Sequence, residues 1–328
     1  MRTLTSQNII KYISLQKQAS AKELADYIGI SRQALYKHLP KLLEDKKIAK
    51  RGRPPMVFYF IPQIKTYTQT VSFKGDIAIN SSSLIEKNYL LITPSGERLE
   101  GIKGFSYWCD KNNLPFEKTV KEYEKTFQKY SLYKKGNFID GGYKLRNTFP
   151  QVFLDKIYYL DFYSIERFGK TKLGWLLLYA KQSQNKKLIA ELTAAIKDKV
   201  RKIIGKYRIN AVGFIPPTVK RQIQLMTELE RNLRLPLPII NLRKIKTEII
   251  VPQKTLSRLE ERIENARETI FLADSHIYEN VLLIDDAVGS GATLNETARK
   301  LKERKIAGKV FGLAITGSFK GFEIISEV

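Results

Sequence analysis

The stretch "VLLIDDAVGSGATL", Val281 to Leu294, decides how the C-terminal half folds. Four apolar residues predict a buried strand, and two adjacent carboxylates, Asp285 and Asp286, sit at its carboxyl end. "AVGSGAT" then turns into a helix. The first N–H groups of a helix lack intrahelical partners and sit at the positive end of its dipole. Such a turn is a phosphate cradle. Gly289, Ser290 and Gly291 are small enough for a phosphate to approach the backbone, and Ser290 and Thr293 add hydroxyl donors. The carboxylates would repel a phosphate they pointed at. They make sense if they face hydroxyls of the same ligand, or a metal, and a sugar phosphate meets both demands. A Walker A loop needs Gly-Lys-Ser/Thr, and this loop has no lysine. A dinucleotide fingerprint needs a third glycine where Leu294 stands.

Outward from this stretch the pattern is α/β from about Leu154. "TKLGWLLLYAKQSQNKKLIAELTAAIKDKVRKII" predicts two consecutive helices. "AVGFIPP" predicts a strand, "VKRQIQLMTELERNL" a helix, "LPIINL" a strand and "SRLEERIENAR" a helix. "ATLNETARKLKERK" predicts a helix and "VFGLAITG" a final strand. Alternating strands and helices imply a mainly parallel sheet, whose ligands sit at the carboxyl ends of the strands.

The chain of 328 residues has room for two or three domains. Its longest apolar run, around Leu173 to Ala180, is far too short to cross a membrane. "MRTLTSQNIIKYI" has no long apolar stretch of the secretory kind. The one cysteine, Cys109, has no partner for an internal disulfide, and the two histidines, His38 and His276, are far apart in sequence. No Cys/His zinc pattern is readable. A reducing, cytoplasmic setting is expected, with no membrane association.

The net charge is +24. Residues 1–70 hold 13 Lys and Arg against 4 Asp and Glu, the densest excess in the chain. Such an excess favours polyanions, nucleic acid or phosphorylated metabolites. In the same region Ile9, Ile10 and Ile13 mark one face of a helix. Ser20 with Glu23 three residues on is a capping-box pattern for a second helix, on which Leu24, Tyr27 and Ile28 repeat at helical spacing. Gly29 ends it, and Ser31 caps a third helix expected through Leu39, although Pro40 should kink or end that helix. "KKIAKRGRPPMVFYFI" predicts strand, basic turn, strand. The order resembles a winged helix-turn-helix domain over residues 1–65. That resemblance puts the third helix in the DNA major groove, with Ser31, Arg32, Gln33, Tyr36 and Lys37 as contacts and Arg51 and Arg53 at the wing. The bland alternative is a winged helix used for protein contacts or dimerisation.

Residues 71–150 are expected to form a small α+β module. "NYLLITPSGERLEGIKGFSYWC" predicts strand, turn, strand. "FEKTVKEYEKTFQKY" predicts a helix with apolar Val120, Tyr123 and Phe127, and "FIDGGYKL" carries an Asp-Gly turn. Phe105, Tyr107 and Trp108 could stack on a base, but aromatics in such a module are more often core.

"VLLIDDAVGSGAT" resembles the phosphoribosyl-pyrophosphate (PRPP) motif of type I phosphoribosyltransferases. The family pattern is an apolar strand, two acids, two variable residues, two small or hydroxylic residues, Gly, any residue and Thr; Gly289 replaces the usual threonine. The resemblance implies that Asp285 and Asp286 bind the ribose hydroxyls. It also implies that the loop Ala287, Val288, Gly289, Ser290, Gly291, Ala292 and Thr293 holds the 5′-phosphate. Upstream, "GFIPPTVKRQ" looks like the strand and basic loop of ComF-type competence proteins, which makes Lys220 and Arg221 candidates for the pyrophosphate. "VPQKTLSRLEERIENARETIFL" looks like that branch's pattern at Gln253, Leu256, Arg262, Asn265 and Phe271. The match spans about residues 154–318. The branch's Arg-Gly-Phe-Asn-Gln stretch is reduced to "RQIQL", and its cysteine ribbon is replaced by the winged helix.

The expected architecture is thus a winged helix-turn-helix domain (1–65), a middle module (71–150) and a phosphoribosyltransferase-like domain (151–328). That order is similar to the purine-operon repressor family. Three functions are carried forward: a DNA-binding regulator that senses PRPP, a working phosphoribosyltransferase with Asp285 and Asp286 as its catalytic pair, and a competence accessory protein. Magnesium is expected to arrive with PRPP rather than on protein ligands. Dimerisation is left open.

Overall fold

A computed structural model describes residues 2–53, 56–62, 79–245, 251, 255–256 and 258–318. Gln253 lies outside the described residues. The chain divides into two compact units, residues 1–72 and 73–328.

In the first unit, helix Arg2–Gln16 leads into strand Gln18–Ser20 and helix Ala21–Ile28. The expected capping box is present. Ser20 Oγ accepts from the Glu23 amide at 3.3 Å, and Glu23 Oε2 accepts from the Ser20 amide at 2.7 Å. Hydrogen bonds to the Glu23 carboxyl from the Ser20 amide and hydroxyl hold it below its ordinary pKa. Gly29, at φ 73°, ends the helix in the left-handed region, with its amide donating to Ala25 O. The buried face is Leu24 and Ala25, while Tyr27 is exposed and stacks on Tyr12, ring centroids 4.2 Å apart. Of the expected face, Leu24 and Ile28 meet the core and Tyr27 does not.

Ser31 caps the next helix, accepting from the Ala34 amide at 3.2 Å, but that helix spans only Arg32–Tyr36. It does not reach Leu39. A separate helix, Leu39–Glu44, begins with Pro40 in its first turn, where the missing N–H costs nothing. Strand Met56–Phe60 then lies between Gln18–Ser20 and Ala49–Arg53 in an antiparallel sheet. The three-residue strand Gln18–Ser20 is too short to leave a sequence pattern. Ile9, Ile13, Leu24, Leu35, Leu42 and Tyr59 are among the residues that fill this core.

The second unit is built on a six-stranded, mainly parallel sheet. Lys156–Phe162, Ala307–Gly317, Tyr278–Val288 and Ala211–Phe214 run parallel, in that spatial order. Phe138–Asp140 and Lys134–Lys135 add antiparallel strands at one edge. Alternation along Tyr278–Val288 shows why the run is continuously apolar. Val281 and Leu283 enter the core on one face, Leu282 and Ile284 the core on the other. Helices Lys172–Ser183, Lys186–Lys206 and Leu225–Leu233 cover one side. Helices Leu259–Thr269 and Ala292–Glu303 cover the other. Two expected elements are shorter than predicted. The helix expected from Val219 starts at Leu225, and the strand expected at "LPIINL" is a single bridge at Ile239 followed by Leu242–Lys244.

Residues 79–148 share a core with the parallel sheet, and so sit in one unit with it rather than in a module of their own. Hairpin Leu90–Ile92/Arg98–Glu100 is present, but Gly101–Lys111 is helical where a second long strand was expected. Phe105 and Cys109, one turn apart, are both fully buried on that helix. Phe105 packs against Tyr89 and Tyr123 with ring centroids 5.1 and 5.2 Å away, and Trp108 against Phe168 at 5.5 Å. These rings are core. Helix Phe116–Ser131 buries Val120 and Tyr123, with Phe127 half-buried. At "FIDGGYKL", Asp140 Oδ1 accepts from the Gly142 amide at 2.7 Å.

Candidate functional site

Two adjacent parallel strands end together. The Ile215 amide donates to Ile284 O just past the last paired residues, Phe214 and Ile284. Beyond that point lie Pro216 and Pro217 in the loop after one strand and Asp285 and Asp286 on the other strand. Between them is a cavity of about 200 Å³, at the carboxyl edge where α/β sheets bind ligands.

Asp285, Asp286, Ala287, Val288, Gly289, Ser290, Gly291 and Thr293 line the cavity. Ala292 does not. It is buried, and its amide donates to Ser290 Oγ at 3.3 Å. Gly291 is the cap of helix Ala292–Glu303, at φ 80°, a conformation that a side chain would strain. The first intrahelical bond is from the Asn295 amide to Gly291 O, so the Thr293 and Leu294 amides before it have no carbonyl within the helix to bond. The helix is fixed from behind. The buried Asn295 accepts from the Phe153 amide at 2.9 Å and donates to Gln151 O at 3.1 Å. The buried Glu296 pairs with Arg267 and Arg299.

Four cations line the cavity: Lys181, Arg221, Lys244 and Arg262. Lys181 Nζ is 2.5 Å from Asp286 Oδ2. Lys244 Nζ donates to Thr218 Oγ1 at 2.7 Å. Arg221 donates to Gln182 Oε1 at 3.3 Å, and the buried Arg262 donates through Nε to Leu256 O at 2.9 Å. Burial raises the Asp285 carboxyl well above the usual carboxylate range, and the Asp286 charge pushes the same way. The Asp286 amide, donating to Asp285 Oδ1 at 2.8 Å, and the charges of Lys181 and Lys244 act against that rise. Burial lowers Lys244 to about 8, with Asp285 opposing.

Of the two cations expected for a pyrophosphate, Arg221 lines the cavity, whereas Lys220 is exposed and outside it. Sequence reasoning did not assign Lys181, Thr218, Lys244 or Arg262 to the site. Lys181 had a readable signal, since it extends the buried stripe Leu173, Leu177 by one more step of four. Lys244 and Thr218 are joined only by tertiary folding.

The two carboxylates do not fit a metal held by the protein. Asp286 is already paired with Lys181, and among the described residues no three His, Cys, Asp or Glu converge. In the first unit, Ser31, Arg32, Gln33, Tyr36 and Lys37 are all exposed around the short Arg32–Tyr36 helix, and Arg51 and Arg53 lie on strand Ala49–Arg53. Among the described residues no helix is long and apolar enough to cross a membrane.

No family model matches the chain, and no curated protein matches it. Solved structures similar to it include a hypoxanthine phosphoribosyltransferase from Staphylococcus aureus, 17% identical, TM-score 0.27, covering 42% of this chain and 66% of that one. An adenine phosphoribosyltransferase from Leishmania donovani is 14% identical, TM-score 0.23, covering 39% and 65%. One from Leishmania tarentolae is 14% identical, TM-score 0.24, covering 44% and 87%. The chain thus spans just under two thirds of the first two. Likeness at this level carries no argument, and the reading of the site rests on its own geometry.

Proposed function

We propose that this chain is a DNA-binding protein whose second unit binds PRPP or a related ribose phosphate and whose first unit is a winged helix-turn-helix domain. The observation that carries the reading is the cavity's division of labour. Two carboxylates stand on one side and can accept from vicinal ribose hydroxyls. A helix end capped by glycine stands on the other, with backbone N–H groups for the 5′-phosphate. Cations that suit a phosphorylated ligand surround both. Asp285 and Asp286 bind and orient in this reading, and Arg221 and Arg262 draw the anion in.

The DNA reading is supported by the exposed cations of the Ser31-capped helix and by the charge excess of residues 1–70. Ligand binding to the second unit would then regulate DNA binding by the first.

The test is calorimetric titration with PRPP of the parent and of a variant carrying Asp285→Asn and Asp286→Asn. Hydrogen bonds to charged groups are worth about 1.5–3 kcal/mol each, so losing both should weaken binding by roughly 100-fold or more. Equal affinity in the two proteins would remove the acidic pair from the site. Pyrophosphate release on adding nucleobases would instead favour a working transferase.

A further inference from the structure

Asp286 does not meet the cavity as a bare carboxylate. Its Oδ2 is held by Lys181 at 2.5 Å, with the two side chains only 16% and 20% exposed. The lysine comes from helix Lys172–Ser183, which packs on the sheet face opposite to helix Ala292–Glu303. Around the whole cavity, Lys181, Arg221, Lys244 and Arg262 stand against Asp285 and Asp286, four cations to two anions, a net of +2. A phosphate monoester carries about −1.5 to −2 near neutral pH. The balance is therefore closed by the protein's own side chains, and the acidic pair has no vacancy for a metal.

We infer that this cavity binds a ribose phosphate monoester without a divalent cation, Lys181 supplying at Asp286 the positive charge that a metal would otherwise bring. The inference rests on the ribose-phosphate reading above and narrows its ligand. Oδ1 of Asp286 remains to accept from a ribose hydroxyl while Oδ2 stays on Lys181. Lys181 is a positioning residue here: it acts through Asp286 and does not hold the phosphate.

The experiment is calorimetric titration of the full chain with ribose 5-phosphate, in chelator and in excess magnesium. The expected dissociation constants agree within about twofold. Lys181→Gln should weaken binding at least tenfold or so in chelator, and magnesium should restore part of it; Lys181→Arg should bind like the parent in both buffers. Thermal melts of both variants separate a binding defect from a folding defect. If Lys181→Gln does not fold, the parent and Lys181→Arg still decide. Parent binding that disappears in chelator and returns with magnesium would overturn the inference while leaving the ribose-phosphate reading intact. A folded parent that binds in neither buffer would sink that reading, and this inference with it.

Discussion

The two units carry positive charge in opposite ways. In the first, Arg32 and Lys37 are exposed, at the start and just past the end of a short helix capped by Ser31. In the second, Lys181, Lys244 and Arg262 turn inward around two carboxylates, next to a helix whose cap is a glycine with no side chain. Each helix has one first-turn amide taken by a serine hydroxyl, Ala34 by Ser31 and Ala292 by Ser290. The end at Gly291 faces a cavity, where the remaining donors can meet a ligand. Exposed cations suit a long polyanion met through screened, salt-sensitive contacts. Enclosed cations suit one small anion and are screened much less.

One expected effect separates these two kinds of charge. Arg32→Ala with Lys37→Ala should lower affinity for duplex DNA by about tenfold or more and reduce the slope of log affinity against log salt by about 2. Ribose-phosphate binding should be unchanged. An unchanged salt slope would make the first unit a protein-contacting module.

Lys244→Met tests the enclosed side. Removing this cation should weaken ribose-phosphate binding by roughly tenfold, as hydrogen bonds to charged groups are worth about 1.5–3 kcal/mol. The loss should persist when salt is raised, whereas a loss that vanishes in high salt would place Lys244 outside the enclosed site.

The helix ends give the next contrast. Gly291→Ala should cost about 1–2 kcal/mol of stability, because a side chain at φ 80° is strained. Ser31→Ala should cost about 1 kcal/mol from a lost cap. Denaturant unfolding followed in each unit would check both, and a neutral Gly291→Ala would deny that the cap is held left-handed.

A smaller effect follows from Asp285. Its pKa is raised in the folded chain, so the folded state binds more protons than the unfolded one as pH climbs from the ordinary carboxylate range toward neutrality. Stability therefore falls with rising pH through that window. Lys244, lowered to about 8, has the opposite slope between there and its ordinary value, where the unfolded chain holds more protons. The pair is least favourable near neutral pH. Asp285→Asn should raise the melting temperature there by roughly 2–4 °C, the shift expected for about 1 kcal/mol in a unit of this size. A melting temperature that falls at neutral pH would contradict the assigned burial cost.

Much of this was legible in the sequence because it is local. Strand, acid pair, small loop and helix at 281–303 follow from period and residue size, and Ser20–Glu23 and Gly29 are short-range signals that the backbone obeys. Pro40 warned of the break that ends the helix at Tyr36. What was not legible is non-local. Gln18–Ser20 exists only because Met56–Phe60 pairs with it. Gly101–Lys111 looked like a strand because its aromatics suit either state, and packing of Phe105 against Tyr89 and Tyr123 favours the helix. Lys181 and Lys244 lie about 100 and 40 residues from the acid pair, and in a chain this rich in lysine nothing local marks a buried one.

The central claim is that one chain joins a ribose-phosphate site to a DNA-binding unit so that each affects the other. The direct measurement is calorimetric titration of the full chain with PRPP and magnesium, without and then with a saturating mixed-sequence DNA duplex. The account predicts that DNA changes the PRPP affinity, and that PRPP changes the DNA affinity by the same factor, as linkage requires. Identical PRPP affinity with and without bound DNA would contradict it.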